Sequence, residues 1–207
     1  GGRSLVPGFV DNHIHLANAT QRAWLDVTHP GVRSVADVVE RVAARAAAGA
    51  VTPGTWILRR SVDPGRLAAR RLPTRHDLDA ATTAHPVGIA NREGMGWTFN
   101  TAGLRAIGVT DTTPDPPGGP LLRDERGRPL GPMWDNARTV FVNPNLPAPT
   151  LEEQLAACAA LAADLNRAGV TTAFEAAYRR PIDAPAGRPL RAAAPPPLRV
   201  VLEPYPV

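Results

Sequence analysis

The sequence contains no lysine, so arginine supplies all 23 of its basic residues. These arginines are scattered among 19 acidic residues, and the formal net charge is +4 at pH 7. Aromatic residues make up only 5% of the chain and do not accompany any basic cluster. A nucleic-acid-binding surface combines clustered basic residues with aromatic side chains. We therefore expect no nucleic-acid partner.

A single cysteine, Cys158, excludes a disulfide bond within the chain. It lies in an alanine-rich run, where a small buried residue suits one face of a helix, and we interpret it as structural rather than nucleophilic. No run of about 18 residues is apolar and free of charge, which excludes a membrane-spanning helix. No signal peptide is visible either. We expect a cytoplasmic protein with no membrane partner.

Composition and the positions of proline and glycine divide the 207 residues into three zones. Residues 1–29 contain an apolar strand and the loop that follows it. Residues 30–149 form a long segment interrupted by proline and glycine, too long for a simple connection between a strand and a helix. Residues 150–207 contain a helix, a strand and a further strand-like run at 198–202. An α/β class is the expectation from this order of elements.

Local signals predict several elements within the second and third zones. Ser34 and Asp37 are typical of a capped helix start, and so are Thr150 and Glu153. Gly169 ends the second helix, and the β-branched run at 170–175 predicts a strand directly after it. In the middle zone we expect extended chain at 56–58, a short helix at 77–81, a strand at 86–90 and a loop at 110–120. Residues 181–197 are rich in Pro and Ala, which predicts another loop.

Two histidines separated by one residue follow the first apolar run, Leu5-Val6-Pro7-Gly8-Phe9-Val10-Asp11. Side chains on a strand repeat their direction every second residue, so His13 and His15 should lie on one face together with Asp11. Two adjacent imidazoles at a strand end provide half of a metal site. A half-buried polar pair without any metal is the alternative, because histidine is often simply half-buried.

The longer string from Pro7 to His15 resembles the first barrel strand of the amidohydrolase superfamily. Further landmarks resemble its amidohydrolase 3 or YtcJ-like branch, which includes N-substituted formamide deformylases. They are Trp24-Leu25-Asp26, Pro53-Gly54-Thr55-Trp56-Ile57, Leu72-Pro73-Thr74-Arg75-His76-Asp77-Leu78-Asp79, His85-Pro86-Val87, Asn100-Thr101-Ala102-Gly103-Leu104 and Pro114-Asp115-Pro116-Pro117-Gly118-Gly119. These motifs occur in register over most of residues 1–180.

The resemblance implies a partial TIM-type (β/α)8 hydrolase barrel with a long insertion after its first strand. An intact barrel typically needs about 250 residues, so we expect an incomplete one and a piece of a larger enzyme. The implied activity is hydrolysis of carbon–nitrogen bonds other than peptide bonds, in amides or N-substituted formamides, by hydroxide on a divalent metal. Zinc is the expected metal, with one or two ions in the complete enzyme. The implied partner is a small amide-type substrate. Whether the protein forms a homo-oligomer is left open by the resemblance.

His13 and His15 are the implied metal ligands, and the general acid or base is expected outside this chain. The resemblance implies substrate contacts at Arg75 and Asn100, and Glu175 is a further expected contact because it closes the strand at 170–175 and would face the mouth of the barrel. Two of these contacts have an alternative: Arg75 would pair with a neighbouring acid, Asp77 or Asp79, and Glu175 would be a solvated or salt-bridged residue at a strand end.

One position departs from the family pattern, because Met95 occupies the place where relatives commonly carry histidine. Two other hypotheses compete with the hydrolase. The chain could be a non-catalytic fragment that binds metal weakly or not at all. A deaminase or cyclic-amidase relative would share the histidine pair but not the landmarks of the inserted segment.

Overall fold

The structure is a computed structural model that describes residues 2, 4–28, 30–48, 52–178 and 198–204. The chain divides into two compact units. The first unit consists of Gly1–Ala23 with Ala148–Val207, and the second of Trp24–Pro147. The loop predicted at 181–197 lies outside the described residues.

The strands are β1 (Phe9–Ile14), β2 (Leu25–Asp26), β3 (Ile57–Val62), β4 (Val87–Asn91), β5 (Trp97–Phe99), β6 (Val170–Tyr178) and β7 (Arg199–Pro204). The α-helices are α1 (Val35–Ala47), α2 (Arg75–Asp79), α3 (Thr101–Ala106), α4 (Asp135–Ala137) and α5 (Leu151–Arg167). Shorter 3-10 turns span Leu16–Ala23 and Pro64–Arg66, and a π-helical turn spans Arg138–Val142.

The first unit is built on a sheet of three parallel strands in the order β1–β6–β7. Helix α5 precedes β6, and the predicted capping box is present, since Thr150 accepts from the Glu153 amide while Glu153 accepts from the Thr150 amide. Gly169 ends this helix with a φ of +85°, a conformation that costs glycine little. The buried side chains of α5 are small, Cys158 and Ala162, so the helix can lie close to the strands.

The pairing of β1 with β6 is irregular near the histidines. Asp11 lies opposite Ala173 and Ile14 opposite Glu175, so three steps along β1 match two steps along β6. Such a bulge interrupts the alternation of side chains. Strict alternation along β1 is therefore interrupted between Asp11 and Ile14, and His15 lies one residue beyond the end of β1. That Asp11, His13 and His15 share one face stays a prediction.

The second unit is built on a four-stranded sheet in the order β2–β3–β4–β5. The first three strands are parallel and β5 is antiparallel to β4. Helix α1 begins with the predicted capping box of Ser34 and Asp37. The short helix α2 begins at Arg75, two residues earlier than expected, because Thr74 accepts from the Asp77 amide and caps it.

Two apolar clusters fill the second unit. One joins α1, β3, α2 and β4, and its fully buried members include Val38, Val42, Leu78 and Ile89. The other surrounds β5 and α3, where Phe99 stacks on Trp97 with ring centroids 5.7 Å apart. The α/β class with parallel sheets is confirmed. A closed barrel is not formed by the strands that the structure describes.

Candidate metal site

Register places the histidine pair beside a carboxylate. Parallel strands end at the same edge of a sheet, and Ile14 of β1 lies opposite Glu175 of β6. His13 precedes that pair and His15 follows it. The neighbouring strand therefore supplies an acid beside His15, although 160 residues separate Glu175 from His15 in sequence.

The two imidazole rings are close neighbours. Their centroids lie 5.2 Å apart at an interplanar angle of 66°. His15 Nδ1 lies 3.6 Å from Glu175 Oε1, and the His15 side chain is 43% exposed while that of Glu175 is fully buried. The Asp11 carboxylate accepts the backbone N–H of His13 at 3.1 Å, which holds the turn of the bulge. One face of this arrangement is open to solvent and the other is closed by a buried acid.

The donors fit the preferences of a zinc-like ion in part. Neutral imidazole nitrogens are good zinc ligands, and a carboxylate can orient an imidazole or bind directly. A complete site needs at least three protein ligands. Within the described part of the chain, no group of three or more His, Cys, Asp or Glu side chains is arranged to hold a metal ion. Among the described residues, His13 and His15 therefore provide only part of a metal site.

Cys158 does not add a ligand to this pair. Its thiol donates to the backbone oxygen of Leu16 at 3.3 Å and is buried. Burial raises the pKa of the Cys158 thiol to about 11, with a smaller contribution from the charge of Glu175. The thiolate is the form that attacks carbonyls or binds metals, so this neutral thiol serves packing, in agreement with its interpretation from the sequence.

Arg75 belongs to the second unit and is almost fully buried there, at 7% exposure. Its Nη1 donates to Asp111 Oδ1 at 2.8 Å. The partners expected from the sequence, Asp77 and Asp79, are engaged elsewhere: Asp77 pairs with Arg71, and Asp79 accepts from Thr101. The ion pair exists, but the predicted identity of the acid is wrong, because 36 residues of chain separate Arg75 from Asp111.

Asn100 is fully buried, and protein groups use its whole hydrogen-bonding capacity. Its Oδ1 accepts from the amides of Val87 at 2.9 Å and Gly103 at 2.7 Å. Its Nδ2 donates to the backbone oxygens of Thr82 and His85, both at 2.9 Å. A substrate would have to displace one of these bonds, so the contact implied by the resemblance stays a prediction.

Two further features of the second unit bear on function. Met95, where the sequence was expected to depart from the family pattern, is 53% exposed. Arg59 is fully buried on β3, which continues beyond the extended chain expected at 56–58. Its burial was not predicted, since a long charged side chain ordinarily extends to the surface. No helix among the described residues is long and apolar enough to cross a membrane.

Two solved structures share the fold of this chain. The chain superimposes on an uncharacterized metal-dependent hydrolase from Pyrococcus horikoshii with a TM-score of 0.59 and 20% sequence identity, over 96% of this chain and 36% of that one. A related structure from Pyrococcus furiosus gives a TM-score of 0.58 at 21% identity, over 95% of this chain and 37% of that one. At this level of identity the likeness establishes a shared mixed α/β fold.

Sequence comparison then identifies the family. The amidohydrolase family model matches residues 1–203, and the chain belongs to this family. An N-substituted formamide deformylase of Arthrobacter pascens is 28% identical over 141 residues, 68% of this chain and 26% of that protein. The amidohydrolase YtcJ of Bacillus subtilis is 28% identical over 142 residues, 68% of this chain and 26% of that protein. The matched region thus covers about a quarter of each relative.

Proposed function

We propose that this chain carries the first metal-binding strand of a metal-dependent hydrolase that acts on carbon–nitrogen bonds other than peptide bonds. The supporting observation is the pair of adjacent imidazoles, His13 and His15, at the end of a parallel strand and beside the buried Glu175. Membership of the amidohydrolase family and the deformylase relative favour amides and N-substituted formamides as the substrate class.

In this proposal each residue of the site has a separate task. His13 and His15 hold a divalent ion, for which zinc is the preferred candidate. The Glu175 carboxylate lies near Nδ1 of His15 and favours the tautomer with its proton there, which leaves Nε2 of His15 available as a ligand. Asp11 fixes the backbone of His13. A bound ion would supply a Lewis acid for the substrate carbonyl and for water.

We further propose that the sheet of β1, β6 and β7 belongs to a (β/α)8 barrel. All three strands are parallel, and α5 leads directly into β6 as a helix does in a βα repeat. Residues 30–149 would then be the insertion after the first barrel strand. Arg75, Asn100 and Glu175 remain the proposed substrate contacts, and the substrate remains a small amide-type molecule.

A second candidate is a non-catalytic fragment with weak metal binding. The observation in its favour is that the described residues supply two adjacent imidazoles and no third converging ligand. Metal binding and turnover separate the two candidates, because the fragment can retain the first without the second.

Zinc titration of this chain tests the site. We expect the His13→Asn and His15→Asn variants to bind zinc at least about tenfold more weakly than the original chain, since each loses one imidazole ligand. The matched control is His76→Asn, which removes an exposed imidazole of the second unit. Calorimetry measures the affinity and stoichiometry of all four proteins.

Equal zinc affinity in all four proteins would contradict the metal-site proposal. The hydrolase proposal would be supported if the original chain hydrolyses an N-substituted formamide in the presence of zinc. Both site variants should then lose this activity, and the His76→Asn control should keep it. Zinc binding that depends on His13 and His15 without any hydrolysis would support the fragment.

A further inference from the structure

The second unit contains a buried guanidinium that its surroundings do not neutralise. Arg59 lies on β3 between β2 and β4, opposite Leu25 and Ile89, and its exposure is 0%. Its Nη2 donates to the backbone oxygen of Arg41 in helix α1. Its Nε and Nη1 are buried and have no hydrogen-bond partner among the described residues. Buried N–H groups of a charged side chain are ordinarily all paired, because an unpaired one keeps the full cost of losing water.

The charges around Arg59 increase this cost. Arg41 and Arg45 lie one turn apart on α1, on the same side of the helix. The pKa of Arg59 is lowered to about 9, mainly by burial and also by the positive charges of Arg41 and Arg45. No carboxylate is among the groups that shift this pKa. The acid on this side of α1, Asp37, accepts from the amides of Arg33 and Ser34 at the helix start.

The three arginines also differ in depth. Arg45 is exposed, Arg41 is half-buried and Arg59 is fully buried. A positive potential therefore extends from the surface at α1 to the unpaired donors on β3. Guanidinium groups bind the oxygens of carboxylates and phosphates with directed N–H bonds, and several together bind them more strongly.

We propose that Arg59, with Arg41 and Arg45, forms a binding site for an oxyanion, a carboxylate or a phosphate group, between α1 and β3. The anion accepts from the unpaired N–H groups of Arg59 and neutralises the charge that the apolar cluster around it cannot. This site lies within the second unit and is independent of the histidine pair and of the hydrolase proposal.

Unfolding of this chain in inorganic phosphate tests the proposal. All four tryptophans, Trp24, Trp56, Trp97 and Trp134, belong to the same unit as Arg59, so their fluorescence reports on the right part of the chain. Phosphate replaces chloride at constant ionic strength, and an acetate series tests a carboxylate in the same way. We expect the unfolding midpoint to rise with phosphate and to saturate, as binding to the folded state requires.

Two variants and a control make the test specific. Arg59→Met removes the buried donors and should abolish the response. Arg59→Lys keeps the charge without the planar fork and should weaken the apparent phosphate affinity about tenfold. Arg126→Ser removes an exposed arginine of the same unit and should respond as the original chain does. Should Arg59→Met fail to unfold cooperatively, Arg45→Ser at the exposed end of the site should still show a reduced phosphate response.

Three results would overturn the proposal. The first is an equal rise of the midpoint in the original chain and in Arg59→Met. The second is a loss of the response in Arg126→Ser as large as in Arg45→Ser, because the effect would then follow net charge. The third is stabilisation by chloride equal to that by phosphate and acetate, which would exclude an oxyanion as the ligand class.

Discussion

At the scale of single residues, sequence distance decided which site residues could be predicted. His13 and His15 are only two residues apart in sequence, so their proximity was predictable from the pattern alone. Glu175 was predicted as a substrate contact at a strand end, and its Oε1 lies 3.6 Å from Nδ1 of His15 through the register of β1 with β6, which the sequence did not predict. The ion pair of Arg75 with Asp111 was not predictable, because local sequence does not indicate contacts between residues that lie 36 positions apart.

The four hydrogen bonds of Asn100 lead to a stability prediction. We expect Asn100→Ala to lower the free energy of unfolding by about 3 kcal/mol or more, since three buried backbone groups and one partly buried one lose a partner. The exposed Asn143→Ala serves as the control and should change it by less than about 0.5 kcal/mol. Urea unfolding monitored by tryptophan fluorescence measures both. A loss below about 1 kcal/mol in Asn100→Ala would mean that these bonds do not hold the unit together.

At the scale of elements, helix starts and ends followed directly from local chemistry. The capping boxes at Ser34 and Thr150 were predictable because an N-cap and its partner lie three residues apart. Gly169 marked the end of α5 for a similar reason, since glycine readily adopts the left-handed conformation observed there. The bulge in β1 was not predictable, because it exists only through pairing with β6.

The turn at residues 124–128 provides a pH-dependent prediction. The Asp124 carboxylate accepts the backbone N–H groups of Arg126 and Arg128 and the Nε of Arg128. The Arg128 amide, followed by the Arg128 side chain and the Arg126 amide, lowers the pKa of Asp124 to about 2 from a usual 3.8. A lowered carboxyl pKa in the folded state stabilises the protein above pH 3.8, and this contribution disappears as the pH falls to about 2.

We expect Asp124→Asn to be less stable than the original chain near neutral pH and equally stable below pH about 2, because only the ionised carboxylate gains from these donors. Urea unfolding at pH 7, 4 and 2 follows the difference. Glu125→Gln, an exposed acid in the same turn, is the control and should show no such convergence. A constant difference between Asp124→Asn and the original chain at every pH would contradict this role of the charge.

At the scale of the whole molecule, the chain is organised as two units. Trp24–Pro147 is continuous in sequence and contains two apolar clusters of its own, whereas the other unit combines residues from both ends of the chain. A continuous segment with its own core can fold alone.

We therefore expect residues 24–147, expressed alone, to unfold in one cooperative transition followed by tryptophan fluorescence. Leu78→Ala in this segment should lower its free energy of unfolding by about 2–5 kcal/mol, because Leu78 is fully buried in one of the clusters. The exposed Leu122→Ala is the matched control and should have little effect. A gradual, non-cooperative change in the isolated segment would show that its core needs the rest of the chain.

The sequence by itself determined the family, the α/β class, the paired histidines and the starts of α1 and α5, because each of these depends on residues close together or on motifs in a fixed order. Only the tertiary structure determined which acid lies beside His15 and which acid pairs with Arg75. It also determined that protein groups use all the hydrogen bonds of the Asn100 side chain and that Arg59 is buried. These four depend on strand register and on packing between distant segments. Local propensity depends only on residues that are near in sequence, so it does not predict contacts that form when distant segments pack together.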